Sequence, residues 1–245
     1  TAVGTSALGG NTTAGNNTAV GYQALLVNTT GYNNLALGAN ALDANTTANN
    51  NVAVGPNSLT ANTTGAQNVA VGTACMSANT TGPDNANTTG GSNVGIGSGA
   101  LGANTTASTN TAVGTSSMQD NTTGANNVSV GYETLGDNTT GAANSGSGYK
   151  ALRFNTTGGA LTAFGAYALY NNTTANYNTA FGHSALTATT TGAGANTALG
   201  YVAGNGVTTG GYNCILGYNA GVSSTALTTG SGNTLMGAFC HTSAV

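Results

Sequence analysis

Apolar and polar residues recur along the chain with a period of 17 residues. One copy, residues 17–33, reads NTAVGYQALLVNTTGYN, and the next, residues 34–50, reads NLALGANALDANTTANN. Each copy holds a short alternating segment, a glycine, a second short segment that ends in leucine, and a turn-forming Asn-Thr-Thr-Gly stretch. A fixed period of this size is typical of a solenoid, in which each copy forms one coil.

The apolar segments are too short for helices, and Gly, Asn and Thr at this density oppose helix formation. Two short strands and a turn in each copy fit the pattern better. We therefore predict an all-β fold, a repetitive parallel β-solenoid (β-roll) of about 14 coils with two short strands per coil. Coils stacked about 4.8 Å apart would bury together an apolar face that one coil cannot bury alone.

Glycine occupies the fifth place of all fourteen copies. Such a glycine is expected at a bend that needs positive φ or a close approach of two backbones. The structural turn residues predicted on this basis include Gly21, Gly38, Gly55, Gly72, Gly114 and Gly131.

Alternation within the first segment predicts which side chains face the core. The residues at the fourth place are large and apolar, and we predict that they form an inner ladder: Val20, Leu37, Val54, Val71, Ile96, Val113, Val130, Phe164, Phe181, Leu199 and Leu216. The residues at the ninth place would form the facing ladder: Leu25, Leu42, Leu59, Leu101, Leu135, Leu152, Leu169 and Leu186, with Met76 and Met118 as substitutes.

The third place carries small residues almost throughout, and alternation would point it outward. An outward β position normally carries polar residues, so a stripe of small apolar ones predicts close packing against sister chains. The predicted inter-chain packing residues are Ala19, Ala36, Ala53, Ala70 and Ala112. In the last two copies the third place becomes Ile215 and Leu235, which would widen this interface.

The Asn-Thr-Thr motif occurs eleven times, and each occurrence is a formal N-glycosylation sequon. Two interpretations stay open for its asparagines. They could form a ladder of stacked amides between coils, or they could carry glycans in a secreted protein. The residues concerned include Asn28, Asn45, Asn62, Asn104 and Asn121.

The regular repeat predicts a shaft over residues 1–195, with an insertion near residues 83–92. Residues 196–245 hold variant repeats, in which Gly204 and Gly221 replace the usual leucine, and would form the C-terminal end of the shaft. The sequence opens one residue into a copy and stops inside another. We therefore expect a segment of a larger or processed protein.

Composition narrows the range of functions. Only 3% of the residues are charged, against about 25% in typical soluble domains. The 39% of apolar residues fall at fixed spacing, which argues for order. A net charge of −3 offers no basic patch for nucleic acid and no polybasic segment for a membrane surface. No apolar run is long enough to predict a membrane-spanning helix.

Groups suited to catalysis or metal binding are scarce. The ionisable side chains are Asp43, Asp84, Asp120, Glu133, Asp137, Lys150, Arg153, His183 and His241. The three cysteines, Cys75, Cys214 and Cys240, match no metal-binding spacing and are expected to be packed thiols. An enzyme on this scaffold, such as a polysaccharide lyase, would need a charged cleft. We expect no enzyme activity, no metal and no cofactor.

Tyrosines follow the glycine in five copies, at Tyr22, Tyr132, Tyr149, Tyr201 and Tyr218. We predict that they cover the apolar edge between coils. Exposed aromatic rings that stack on sugars or on partner proteins are the alternative.

The N-[TV]-A-V-G-x-x-A-L-x-x-N-T-T-G pattern resembles repeats of phage tail-fibre proteins and of bacterial surface fibre proteins. Its TAVG core is also similar to the repeats of trimeric autotransporter adhesin heads. The resemblance implies a homotrimer of parallel β-rolls in an elongated extracellular fibre that binds surfaces. The period of 17 is longer than the common adhesin-head repeat.

The sequence thus predicts a structural component of an extracellular fibre or filament, at a cell surface or on a virion, for attachment or spacing. The expected partners are other copies of the chain, as a homotrimer or filament, and a cell-surface glycan or receptor. One alternative is an ice-binding β-solenoid, although adjacent threonines would point to opposite sides of a strand. Another is a self-polymerising extracellular matrix filament, with or without glycans on its sequons.

Overall fold

A computed structural model of the chain describes residues 1–77, 91–222 and 225–241. The chain divides into two compact units, unit 1 (Thr1–Asn126) and unit 2 (Asn127–Val245). Each unit is a parallel β-solenoid in which every copy of the repeat contributes one short strand. The division falls at residue 126, whereas the sequence changes character at residue 195, and the insertion near residues 83–92 falls mainly outside the described residues.

The strands are short in both units. Unit 1 contains β1 (Ala2–Val3), β2 (Thr18–Val20), β3 (Leu35–Leu37), β4 (Val52–Val54), β5 (Val69–Val71), β6 (Val94–Ile96) and β7 (Thr111–Val113). Unit 2 contains β8 (Val128–Val130), β9 (Ser145–Ser147), β10 (Thr162–Phe164), β11 (Thr179–Phe181), β12 (Thr197–Leu199), β13 (Cys214–Leu216), the helix α1 (Thr225–Thr229) and β14 (Thr234–Met236).

Within each unit, every strand pairs in parallel with the strand of the next coil. The register matches the repeat: Ala19 lies beside Ala36 in unit 1, and Ala163 lies beside Ala180 in unit 2. Each place of the repeat therefore faces the same place in the next coil. This in-register stacking produces ladders of identical side chains.

Over the described residues each coil holds one strand, not the two that we predicted. The segment after the glycine is a stack of turns, because alternate residues have positive φ, 54° at Gln23 and 50° at Leu25. Its amides still bond to the neighbouring coils. The N–H of Gln23 donates to the carbonyl of Thr5 and that of Leu25 to the carbonyl of Ala41, both at 3.0 Å. Hydrogen bonding between coils thus continues past the glycine bend, although the backbone there is not a β-strand.

The third and ninth places form the core, and the prediction for the third place is wrong. The alanines predicted to pack against sister chains have no exposed surface within a single chain: Ala19, Ala36, Ala53, Ala70 and Ala112. The ninth-place leucines and methionines are fully buried, as predicted: Leu25, Leu42, Leu59, Met76, Leu101, Met118, Leu135, Leu152, Leu169 and Leu186.

The interior is too narrow for a large residue at the third place. A Cβ added at Gly146 would lie 2.8 Å from the Thr134 methyl carbon and 3.6 Å from a Leu135 methyl carbon. The third place therefore packs on the eighth and ninth places of the preceding coil. The fourth place consequently points outward, and the predicted inner ladder is wrong. Within that ladder, Leu37 is 44% exposed and Phe164 43% exposed.

Side-chain sizes are matched across the core. Gly146 faces Thr134, and Gly95 likewise faces the larger Cys75, whose Sγ would lie 2.7 Å from a Cβ at Gly95. Elsewhere the two places are filled mostly by alanine. A larger residue at the eighth place of one coil is thus accommodated by glycine at the third place of the next.

In the variant coils the glycine is at the ninth place, and the larger side chain comes from a neighbouring coil. Gly204 stands at the ninth place of one coil, and Ile215 stands at the third place of the next. The Ile215 side chain fills the space that a ninth-place leucine would take, because a Cβ at Gly204 would lie 2.9 Å from the Ile215 Cδ1 atom. Leu227 of α1 lies in the same way against Gly221. Ile215 and Leu235 are buried. The prediction that they widen a chain interface is therefore wrong.

The fifth-place glycine meets both expectations of a glycine-specific site. Its φ is 139° at Gly21 and 143° at Gly38. A Cβ at Gly21 would lie only 2.5 Å from the carbonyl oxygen of Gly38 in the next coil. No L-side chain fits this backbone or this space. The same geometry holds at the other predicted turn glycines, Gly55, Gly72, Gly114 and Gly131, with φ between 128° and 138°.

Candidate functional site

A ladder of buried asparagines crosses the coils at the Asn-Thr-Thr motif. The Asn45 Nδ2 atom donates to the Asn28 Oδ1 atom of the preceding coil at 2.8 Å and to the carbonyl of Ala48 at 3.2 Å. The Oδ1 atom of Asn45 accepts from the Asn62 Nδ2 atom. Neutral amides can repeat in this way at every coil, whereas a ladder of like charges would repel.

The same asparagines are the acceptor residues of the N-glycosylation sequons, so their burial decides whether they could carry glycans. Asn28, Asn45, Asn62, Asn104 and Asn121 are completely buried. Their Nδ2 atoms, to which an N-linked glycan would attach, donate hydrogen bonds inside the coil, as Asn121 does to Gly124 at 3.0 Å. These residues belong to a ladder, and a glycan at any of the five is incompatible with this fold.

A second asparagine ladder occupies the first place of the repeat. The N–H of Asn34 donates to the Asn17 Oδ1 atom at 2.9 Å, and the Asn34 Nδ2 atom donates to the carbonyl of Ala48 at 2.8 Å. Ala48 therefore accepts from both ladders. The two ladders together pair most of the buried polar groups of the turn, although the buried Oδ1 atom of Asn62 has no partner among the described residues.

The two threonines of the motif have different environments. The first donates to the carbonyl of the next coil, as the Thr29 Oγ1 atom does to Thr46 at 3.0 Å. The second, such as Thr47 or Thr140, is exposed. The first threonine therefore uses its hydroxyl proton in a hydrogen bond between coils, although Thr29 itself is exposed.

The strands carry an apolar outward surface, which we call the outer strand face. It consists of the second and fourth places of the repeat, which are the first and last residues of each three-residue strand. Neither place carries a charged residue in any copy. Its fourth place is apolar in every copy except at Ser147, whereas its second place is aliphatic in some copies and threonine, serine or cysteine in others. In unit 1 the fourth place is aliphatic, with Leu37 44% and Ile96 41% exposed. In unit 2 it includes the parallel rings of Phe164 and Phe181, whose centroids are 5.0 Å apart. Solvent-facing β positions are usually polar, so this surface is a candidate interface.

Unit 2 also carries an aromatic row beside the bend at the glycine. It consists of Tyr132, Tyr149, Tyr167, His183, Tyr201, Tyr218 and Phe239. Neighbouring ring centroids are 5.3 to 5.8 Å apart. The most parallel pairs, such as Tyr201 and Tyr218, stack face to face between neighbouring coils, while the rings stay partly exposed. Tyr22 of unit 1 is 54% exposed and lies outside this row.

Ion pairs in unit 2 involve the chain's only lysine and only arginine. Glu133 contacts the Arg153 Nε atom at 3.0 Å and the Lys150 Nζ atom at 3.4 Å, and Arg153 also pairs with Asp137. The Tyr132 hydroxyl, followed by the Arg153 and Lys150 cations, holds the pKa of Glu133 below its ordinary value despite partial desolvation. Each charge in this cluster has an opposite neighbour, as expected of a structural network.

The same repeat places in unit 1 form an open polar groove. It consists of two adjoining cavities of about 320 and 280 Å³ that share Ala74 and Ser77. The first cavity is lined by Asn40, Asp43, Asn57, Thr60, Ala74 and Ser77. The second is lined by Ala74, Ser77, Gly99, Gly102, Ala103, Gln119 and Asp120. In the sequence, Asp43 and Asp120 stand out only as two of the few ionisable side chains, because nothing in one copy shows that neighbouring coils leave this space.

Two acceptor atoms of the polar groove are unpaired. The Oδ1 atoms of Asn40 and Asp43 are buried, and among the described residues neither has a hydrogen-bond partner. The Asn40 Nδ2 atom donates to the Asn57 Oδ1 atom at 3.3 Å. Burial raises the pKa of Asp43, although backbone hydrogen bonds to its carboxylate oppose the rise.

The remaining candidate residues are dispersed. His183 lies in the aromatic row, with its Nδ1 atom 2.9 Å from the Ser184 Oγ atom. All three cysteines are free thiols. Cys75 is buried, which raises its pKa to about 12, and Cys214 is exposed on the outer strand face. Asp84 lies outside the described residues.

The described residues contain neither a cluster of metal ligands nor a helix long enough to span a membrane. Over residues 1–77, 91–222 and 225–241, no three His, Cys, Asp or Glu side chains cluster in a way that would hold a metal ion. The single described helix is far too short to cross a bilayer.

Comparisons with known proteins identify no relative of this chain. No family model, curated sequence or solved structure matches the chain.

Proposed function

We propose that the chain is a structural, non-catalytic segment of an extracellular fibre at a cell surface or on a virion, which serves attachment or spacing. Copies of the chain associate side by side through the outer strand face, as a homotrimer or a lateral filament. The observation that carries this proposal is the exposed, uncharged and apolar surface that both units present.

A second copy is the partner that best fits this surface. The apolar rows recur once per coil, and only a chain with the same coil spacing presents rows that match along the whole length. Burying such side chains releases about 25 cal/mol for each Å² of apolar area removed from water. The in-register ladders keep the strands aligned, so little ordering is needed when two copies meet.

The alternatives have less support. Ice binding would use several ranks of hydroxyls on one flat face, but the first threonine of the motif already donates to the next coil, which leaves the single file of the second threonine. A glycan-coated matrix filament would need accessible sequon asparagines, and those of the central ladder are buried.

Light scattering coupled to size-exclusion chromatography tests the proposal. We expect a particle of several chain masses, each chain being 23.4 kDa. Phe181→Glu should lower the mass to one chain, because copies would bring carboxylates together in an apolar interface. The matched control is Thr140→Glu, an exposed residue of unit 2 away from the outer strand face, and it should keep the assembly.

Circular dichroism of Phe181→Glu should match that of the wild type, since the side chain is 39% exposed in the single chain. A monomeric wild-type chain, or an unchanged mass in Phe181→Glu, would contradict the proposal.

A further inference from the structure

We infer that the polar groove of unit 1 binds a neutral oligosaccharide. This inference rests on the proposed function, since it names the chemistry of the surface to which the fibre attaches. Its evidence is separate from that of the outer strand face, because the polar groove lies at the seventh and tenth places of the repeat.

The dimensions suit a short extended ligand. The lining residues come from five consecutive coils, those that begin at residues 34, 51, 68, 93 and 110. At about 4.8 Å per coil the polar groove is about 20 Å long. Each cavity, of about 320 or 280 Å³, is near the lower end of the range for ligand sites.

The lining groups are those that recognise hydroxyls. The polar groove presents side-chain amides, carboxylates and hydroxyls, as in Asn57, Asp43 and Thr60. The buried Oδ1 atoms of Asn40 and Asp43 have no described partner, and an unsatisfied buried acceptor costs about 1–3 kcal/mol. Sugar hydroxyls donate as well as accept, so they match the amides, carboxylates and hydroxyls that line the polar groove.

Charge selects among sugars. The lining contains two carboxylates, those of Asp43 and Asp120, and neither set of lining residues includes a lysine or an arginine. An acidic oligosaccharide would therefore bring like charges together. No aromatic platform lines the polar groove either, which predicts weak binding at a single groove. Several copies in one fibre would raise the avidity.

Unit 2 shows that the repeat itself does not require an open groove. At the same two places, unit 2 carries Glu133, Lys150, Arg153, Tyr167 and Tyr170. Their ion pairs and ring contacts fill this side of the coil. The short polar side chains of unit 1 leave it open, although the backbone ladder is the same.

Saturation-transfer NMR on the whole chain tests the inference. The probes are three neutral tetrasaccharides (maltotetraose, cellotetraose and chitotetraose in its N-acetylated form) and the acidic tetragalacturonate. We expect at least one neutral probe to bind with a dissociation constant of about 1 mM, and tetragalacturonate not to bind.

Three variants locate the site. Thr60→Tyr places in the polar groove the residue type that unit 2 carries at the same place, and it should weaken binding more than about 10-fold. Asn57→Gly keeps the positive φ of 56° and removes one amide, so it should weaken binding about 3- to 10-fold. Asn219→Gly, at the same place in unit 2 with φ 53°, is the matched control and should bind as the wild type does.

The inference is overturned if no neutral probe binds at about 10 mM, if tetragalacturonate binds as well as the neutral probes, or if Thr60→Tyr leaves binding unchanged. Repeating the saturation-transfer measurement on Phe181→Glu separates oligosaccharide binding from assembly through the outer strand face. Binding that persists in this variant, whatever its mass, depends on the polar groove alone.

Discussion

Unit 1 and unit 2 have the same coil but different outward side chains. Inside, both have the glycine with positive φ, the third-place alanine, the ninth-place leucine and the asparagine ladders. Outside, unit 1 has an aliphatic strand face and an open polar groove, whereas unit 2 has phenylalanines, an aromatic row and ion pairs. The comparison indicates that the inner places determine the fold and leave the outer places free for function.

The first prediction concerns the shared glycine and has the largest expected effect. Gly38→Ala in unit 1 and Gly165→Ala in unit 2 should each destabilise the fold by about 4 kcal/mol, because φ is positive and the added Cβ would lie 2.5 Å from the carbonyl oxygen of the next coil. Urea titration measures the free energy of unfolding.

Gly15→Ala is the control, since a Cβ there meets nothing within 4 Å, and it should be nearly neutral. Losses that differ strongly between Gly38→Ala and Gly165→Ala would show that the two units do not share one backbone requirement.

The second prediction concerns the asparagine ladder. Asn45→Ala and Asn155→Ala should each cost about 3 kcal/mol, because each removes three hydrogen bonds of the ladder and leaves buried partners unsatisfied. Thr47→Ala, at an exposed position, should change stability by less than about 0.5 kcal/mol. Equal effects at Asn45 and Thr47 in urea titrations would contradict the ladder's role.

The third prediction concerns size matching in the core. Gly95→Ala should cost about 2 kcal/mol, because its methyl group would lie 2.7 Å from the Cys75 sulfur. The double variant Cys75→Ala/Gly95→Ala restores the alanine pair of most other coils and should recover most of the loss. In unit 2, Thr134→Ala/Gly146→Ala provides the matched test. If the double variant is no more stable than Gly95→Ala, the two residues are not coupled.

The fourth prediction concerns pH and has the smallest effect. The raised pKa of Asp43 means that its stabilisation is present below the unfolded pKa and is lost as pH rises through the folded one. Asp43→Asn should therefore gain stability relative to the wild type at neutral pH. The lowered pKa of Glu133 has the opposite sign, with stability present above the unfolded pKa and lost as pH falls through the folded one.

Glu133→Gln should accordingly lose stability at neutral pH, by less than about 1 kcal/mol for a partly exposed pair, and match the wild type in acid. Urea midpoints at neutral and acid pH measure both effects. A shift of the same sign in Asp43→Asn and Glu133→Gln at neutral pH would contradict this contrast between the units.

The repeat period was sufficient to predict the parallel solenoid, one coil per copy and the buried leucines. It also identified the special glycine, because only a backbone constraint keeps glycine at one place in every coil. The predicted number of strands per coil was wrong, because Gln23 and Leu25 have positive φ. Glutamine and leucine ordinarily avoid this conformation, so the sequence does not indicate the turns that they form.

The orientation of the strand was also wrong. Alternation shows that Ala19 and Val20 face opposite sides but not which side is the interior. The deciding factor is the narrow space beside the ninth-place leucine, which admits only a small residue. The paired changes at Cys75 and Gly95 and at Thr134 and Gly146 were the available sequence signal, because they link the third place with the core. The polar groove depends on three or more coils together and could not be predicted from a single copy.

Cross-linking through the native Cys214 tests the central claim most directly, because this thiol lies on the outer strand face and is exposed. In a Cys240→Ser background, with Cys75 buried, a short bis-maleimide should join Cys214 of two neighbouring copies into covalent dimers, because each chain then offers one reactive thiol and the linker has two arms. A cysteine at the exposed Thr174, away from this face and in a background lacking Cys214, should give none. Efficient cross-linking at position 174 with none at Cys214 would place the interface elsewhere and contradict the account.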